Sequence, residues 1–206
     1  VFNGLKIEKF NVRVLGIVRG GYHPDQLILV KLSGERLEEN GGLCAGMSGS
    51  PVYIRGKLVG AVSYGFENAD PSLALITPIE TMLRLLDERD GPMSRTRIKR
   101  RFVPVATPVF ISGMNRRGYE IVKQTLQNYD ITPIYMPSVG GKTVRGSQTV
   151  LQPGSAVSVQ MIMGDYQVAA LGTVTLIDDQ RFLAFGHSFT NKGAVDYLAF
   201  TAYIYH

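Results

Sequence analysis

Residues 41–51 read Gly41-Gly42-Leu43-Cys44-Ala45-Gly46-Met47-Ser48-Gly49-Ser50-Pro51, and two apolar runs follow, Pro51 to Ile54 and Lys57 to Tyr64, parted only by Arg55-Gly56. The runs read as paired strands joined by a tight turn. The stretch before them is crowded with small residues around two serines. Glycine allows close backbone approach and positive φ, so a serine set between Gly46 and Gly49 is a hydroxyl displayed on a sharp turn. That is where a nucleophile is presented. The same pattern has a plain structural use, a hairpin turn in which Ser48 and Ser50 bond the local backbone.

Working outward, the alternation of Phe10, Val12, Val14, Leu15, Ile17 and Val18 predicts one or two strands between Phe2 and Gly20, closed by Gly20-Gly21. Asp25 to Leu32 is a second strand, Ser33 to Asn40 a loop or short helical turn, and Ser72 to Thr77 a further strand. Pro78 then opens a helix with Glu80 near its positive end and Ile79, Met82, Leu83, Leu85 and Leu86 as its apolar face, stopped by Asp90-Gly91-Pro92. Arg101 to Ile111 holds Pro104 and Pro108 and reads as an extended edge segment. Asn115 to Tyr129 places Tyr119, Ile121, Val122, Leu126 and Tyr129 at near-helical spacing. Pro133 to Gly154 reads as loop or irregular crossover. Strands return at Ala156 to Met163, Gln167 to Ile177 and Arg181 to Phe185, with a turn at Asp178-Asp179 and a last strand from Tyr197 to Ile204.

Three units follow from this pass. Residues 1–93 form a serine-bearing β unit with a terminal helix; 94–154 form a basic linker, extended segment, helix and loop; 155–206 form a second β unit, incomplete at its end. The 206 residues are 45% hydrophobic and 19% charged, ordinary for a globular chain, and the 23 glycines and 10 tyrosines with many β-branched residues favour a mainly β fold with two short helices.

The formal charge of +5 is partly local, since Arg95, Arg97, Lys99, Arg100 and Arg101 stand together. Without interleaved aromatics that run reads as a solvated linker and not as a nucleic-acid or anionic-lipid surface. No apolar segment reaches the roughly 20 residues that cross a bilayer. Cys44 is the lone cysteine, which excludes an intrachain disulfide; its small apolar neighbours suit a buried structural thiol better than a nucleophile. No histidines or cysteines stand at metal-ligand spacing, so neither metal nor cofactor is expected. The start at Val1, with no initiating methionine and no leader, reads as a processed or trimmed piece of something longer.

A serine hydroxyl needs a base within hydrogen-bond reach and donors aimed at the developing oxyanion. The turn offers the backbone N–H groups of Gly46 and Ser48. Three histidines are candidates for the base: His187, at the end of a strand in Gly186-His187-Ser188; His23, in a turn before a strand; and His206, at the end of the chain.

The segment from Gly41 to Phe66, GGLCAGMSGSPVYIRGKLVGAVSYGF, resembles the serine segment of the SpoIVB (stage IV sporulation protein B) peptidase family, and Leu183-Ala184-Phe185-Gly186-His187 is similar to that family's Leu-Gly-His region. The likeness is specific over Lys31 to Phe66, good over Ala156 to Phe189 and weak through the middle. The family is placed with trypsin-like serine peptidases, and Gly46 to Pro51 also resembles the Gly-Asp-Ser-Gly-Gly-Pro turn of that class.

The resemblance implies a trypsin-like double β-barrel with Ser48 as nucleophile, His187 as base, and Gly46 and Ser48 as oxyanion donors. It implies a peptidase, an endopeptidase acting through an acyl-enzyme on protein or peptide, its own precursor included, outside the cytoplasm. Three departures accompany it. Ser48 precedes His187, so the two halves are permuted relative to the sporulation protein. The acid is open among Glu35, Glu38 and Asp196, or absent as in a serine–histidine dyad. The family's peptide-binding PDZ module is not recognisable. A non-catalytic scaffold on the same frame is the alternative.

Overall fold

The structure is a computed structural model and describes residues 4–19, 26–87, 102–127, 133–137, 150–189 and 193–204. His23, His206, the arginine- and lysine-rich run Arg95 to Arg101, the stop at Asp90-Gly91-Pro92 and the turn at Gly20-Gly21 lie outside the described residues.

The chain is mainly β, as the composition predicts, and the strands among the described residues form two six-stranded sheets. The first contains β1 (Asn11–Arg19), β2 (Gln26–Ser33), β3 (Pro51–Ile54), β4 (Lys57–Phe66), β5 (Leu73–Pro78) and β6 (Phe102–Pro104). Its order is β1-β2-β5-β4-β3, with β6 added on β4. The second contains β7 (Val109–Ser112), β8 (Pro133–Tyr135), β9 (Ala156–Ile162), β10 (Gln167–Asp178), β11 (Arg181–Ala184) and β12 (Leu198–Thr201). Its order is β12-β9-β10-β7-β8, with β11 on β10. Every ladder is antiparallel except β7 with β8. The stretch expected as a linker therefore gives one strand to the first sheet and two to the second.

Local chemistry explains the elements. The β3–β4 hairpin turns at Arg55-Gly56, both with positive φ (49° and 78°), the pairing whose twist suits two right-twisted strands. Helix α2 (Ile79–Asp87) follows directly on Pro78 and buries Ile79 and Met82. Leu83 and Leu85, expected on its apolar face, are exposed instead, because only the Ile79, Met82 and Leu86 stripe faces β4 and β11. Helix α3 (Arg116–Gln127) is capped by Asn115 Oδ1, which accepts from Gly118 N–H at 2.9 Å, and buries Tyr119 while leaving Ile121 exposed. A third helix, α1 (Glu35–Glu39), takes up the polar stretch read as loop or helical turn; its single buried residue is Leu37.

Each sheet has its own apolar centre. Val30, Leu32, Val62, Ala74 and Ile76 fill the first, and Val109, Ile111, Tyr119 and Ala170 the second. Burying each large aliphatic side chain is worth about 1.5–3 kcal/mol. A third cluster joins the halves: Leu183 of β11 packs on Ala61, Ile79 and Met82. Beside it Arg181 Nη1 donates to the Leu86 carbonyl at 2.9 Å, satisfying an orphan group of the last turn of α2.

Candidate active site

The serine turn lies at the seam between the two sheets. Gly46 and Gly49 take φ of 88° and 93°, and a Cβ on Gly49 would stand 2.2 Å from the Thr173 carbonyl oxygen, so this position admits only glycine. The turn closes on itself through Ser50 N–H donating to Met47 O at 2.9 Å, and on β4 through Gly49 N–H donating to Val62 O at 2.9 Å.

Three of its carbonyls are held by β10. Thr173 Oγ1 donates to Gly46 O at 2.9 Å, Thr173 N–H to Ser48 O at 2.9 Å, and Thr175 Oγ1 to Gly49 O at 2.7 Å. The loop is thereby fixed to a strand more than 120 residues later in the chain.

Ser48, expected to be displayed on the turn, is instead fully buried because β10 and Gly186 cover it, and its Oγ accepts a hydrogen bond from the Gly186 N–H at 3.0 Å. Thr77 Oγ1 donates to the Gly186 carbonyl at 2.7 Å, so the two peptide groups flanking the Gly186 Cα are each held. The corner is sharp because Phe185 takes φ of 61°, a left-handed conformation costly for a bulky residue, with its ring lying on the bare backbone of Gly172. The Phe185 bend carries Gly186-His187 off the end of β11 toward the serine.

The His187 ring is not hydrogen-bonded to Ser48 Oγ. Its Nε2 is 3.0 Å from Val105 O and its Nδ1 is 3.0 Å from Ser188 O. A neutral imidazole has one N–H and so satisfies one of those carbonyls at a time. Tyr64, 5.8 Å away between ring centroids, walls the ring on the β4 side, and burial pushes its phenol above the ordinary value.

The structure brings together Ser48, the Gly186 N–H, and Gly46, whose own N–H donates to Ala106 O at 2.8 Å. Among the described residues no carboxylate bonds the His187 ring; Glu35, Glu38 and Asp196 are exposed. Ser50 is half-buried and lines a cavity of about 640 Å³ with Phe10, Val12, Met47, Val52 and Leu171. Cys44 is partly buried with Sγ 3.4 Å from Gly42 O, and burial pushes its thiol up, as a structural thiol requires. Among the described residues no cluster of side chains could hold a metal ion.

Sequence reasoning missed Val105 and Ala106, whose carbonyls reach the ring and the turn, and the two threonines of β10. The alternation around Thr173 and Thr175 carries no sign of a partner 126 residues away.

Residues 1–83, the segment that holds the serine turn and both strands after it, match the family model described as SpoIVB peptidase S55. That match supports the SpoIVB peptidase family for this chain. No curated protein and no solved structure matches. Among the described residues no helix is long and apolar enough to cross a membrane.

Proposed function

We propose that this chain is a serine endopeptidase of the SpoIVB type, with Ser48 as nucleophile and His187 as base. The observation that carries the reading is the seating of Ser48, inside the segment that matches the peptidase family, against the N–H of Gly186, the residue immediately preceding His187. In the reaction the His187 ring leaves Val105 O and turns to Ser48 Oγ. It takes the hydroxyl proton as Ser48 attacks a peptide carbonyl carbon, and returns it to the departing amine. Water then hydrolyses the acyl-enzyme. The N–H groups of Gly46 and Ser48 receive the oxyanion. The Gly46 N–H already holds a peptide carbonyl, that of Ala106, so it is aimed at the kind of group the reaction would place there.

The same reading makes the two sheets the halves of a trypsin-like double barrel in permuted order, the sheet of β1–β6 bearing the serine and that of β7–β12 the histidine. It makes the protein self-processing and active outside the cytoplasm. Glu35, Glu38 and Asp196 remain the carboxylates to substitute in search of an acid. Labelling by a fluorophosphonate tests the site. We expect labelling of the folded chain that Ser48→Ala and His187→Ala each reduce by several orders of magnitude in rate. Absence of labelling in the folded full-length protein, or labelling that survives Ser48→Ala, would leave a scaffold on the same frame.

A further inference from the structure

The strand β6 runs along β4, and the residues after it pass the serine turn. Phe102, Val103 and Pro104 pair antiparallel with Phe66, Gly65 and Tyr64 of β4. Val105 N–H then donates to the Ser63 carbonyl at 2.9 Å, and the Val105 side chain is 6% exposed, packed in the cluster of Met47, Val62 and Ile76. The next two carbonyls go to the site itself: Val105 O lies 3.0 Å from His187 Nε2, and Ala106 O accepts from Gly46 N–H at 2.8 Å.

A strand added only to finish a sheet has no reason to place consecutive carbonyls on a ring nitrogen and on the N–H of a serine turn. An extended peptide bound for reaction does. Its backbone pairs with an exposed sheet edge, alternate side chains fill pockets, and the carbonyls beside the bond to be cut meet the catalytic groups. Pro104 fits an edge strand of this kind, since it has no N–H to lose to the ladder.

We propose that residues 102–108 are a peptide held in cis in the substrate cleft. The segment keeps the site closed to other chains, and the cleft takes extended peptides with an aliphatic residue at the position of Val105. The proposal rests on the peptidase reading for its consequence and on the β4 edge alone for its binding. A tethered strand competes at an effective concentration in the millimolar range, so free peptides that bind more weakly than that are excluded while it is in place.

The test uses the full chain with Val105→Asp, which puts a carboxylate in the apolar pocket, and with Val105→Pro, which removes the N–H bonded to Ser63. Binding of a fluorescein-labelled peptide Phe-Val-Pro-Val-Ala-Thr-Pro is measured in the Ser48→Ala background, and fluorophosphonate labelling in the Ser48 background. We expect at least tenfold tighter peptide binding and at least tenfold faster labelling in both variants than in the chain with Val105. Tighter binding with no labelling in any chain keeps the cis strand and removes the peptidase. Labelling at equal rates in all chains, with no gain in peptide binding, keeps the peptidase and overturns the cis strand. Should either substitution unfold the chain, hydrogen exchange on the unsubstituted protein decides: the Val105 amide should exchange at least a hundredfold faster than the amides of Val30 and Ile76 in the same sheet. Equal protection overturns the proposal.

Discussion

The Gly186 N–H donates to Ser48 Oγ at 3.0 Å across a separation of 138 residues, and this one contact ties the candidate nucleophile to the strand end that carries the candidate base. It gives Ser48 a structural duty besides any chemical one. Ser48→Ala leaves a buried N–H without an acceptor, which costs about 1–3 kcal/mol. We expect a drop in melting temperature of several degrees, read by calorimetry. An unchanged melting temperature would mean that the contact carries no stability.

Thr77 and Ser48 hold the same residue, Gly186, through its two neighbouring peptide groups, Thr77 Oγ1 at its carbonyl and Ser48 Oγ at its N–H. Substitutions that share a partner do not add. In a double-mutant cycle, Thr77→Val and Ser48→Ala should show a coupling of at least about 0.5 kcal/mol in denaturant unfolding. Simple additivity would show that the two contacts to Gly186 act independently.

Gly186 itself has no room for a side chain. A Cβ there would lie 2.1 Å from the Val62 carbonyl oxygen and 2.9 Å from Ser63 Cα, both backbone atoms of β4. Gly186→Ala should cost about 1–3 kcal/mol or more, since the sheets must part to admit it. Gly16→Ala in β1, where nothing lies within 4 Å, is the control, expected to change stability by less than about 1 kcal/mol. Equal effects from the two substitutions would contradict the close approach.

Asp70 predicts a pH effect. Its carboxyl is held well below the usual carboxylate range, first by the Ser72 hydroxyl, then by Lys31 and the Ser72 amide. A carboxylate with a lowered folded-state pKa stabilises the fold above its ordinary pKa, and that stability is lost as pH falls through and below the ordinary range. The group is exposed, so the effect is small. Asp70→Asn should lower the melting temperature slightly at pH 7, and the gap to the unsubstituted chain should narrow as pH falls below about 4. A gap that does not depend on pH would assign the effect to turn geometry instead of charge.

What could be read from the residues alone was the local part. The Arg55-Gly56 hairpin, the strand from Asp25 to Leu32, the helix after Pro78 and the helix after Asn115 each carry their own turn, cap or period, and each is present within a residue or two. The exposed Leu83, Leu85 and Ile121 show the limit of period alone, because a helix face is set by what packs on it. The pairing of Phe102 to Pro104 with β4 could not be read, since two prolines near an apolar run state only that it is extended. For the site, two glycines marked the serine turn. Where the His187 ring points depends on a carbonyl 82 residues away and on the bend at Phe185, and neither has a signature in sequence.

The threonine bonds from β10 to the serine turn also bear on synthesis. Residues 46–49 emerge from the ribosome before their partners, since Thr173 and Thr175 follow by 127 and 126 residues. At 5–20 residues per second that interval is on the order of ten seconds. Throughout it the nascent turn has none of its β10 partners, and Ser48 lacks the Gly186 amide. On the peptidase reading, a site assembled in this order cannot act on neighbouring chains before β10 and Gly186 have been made.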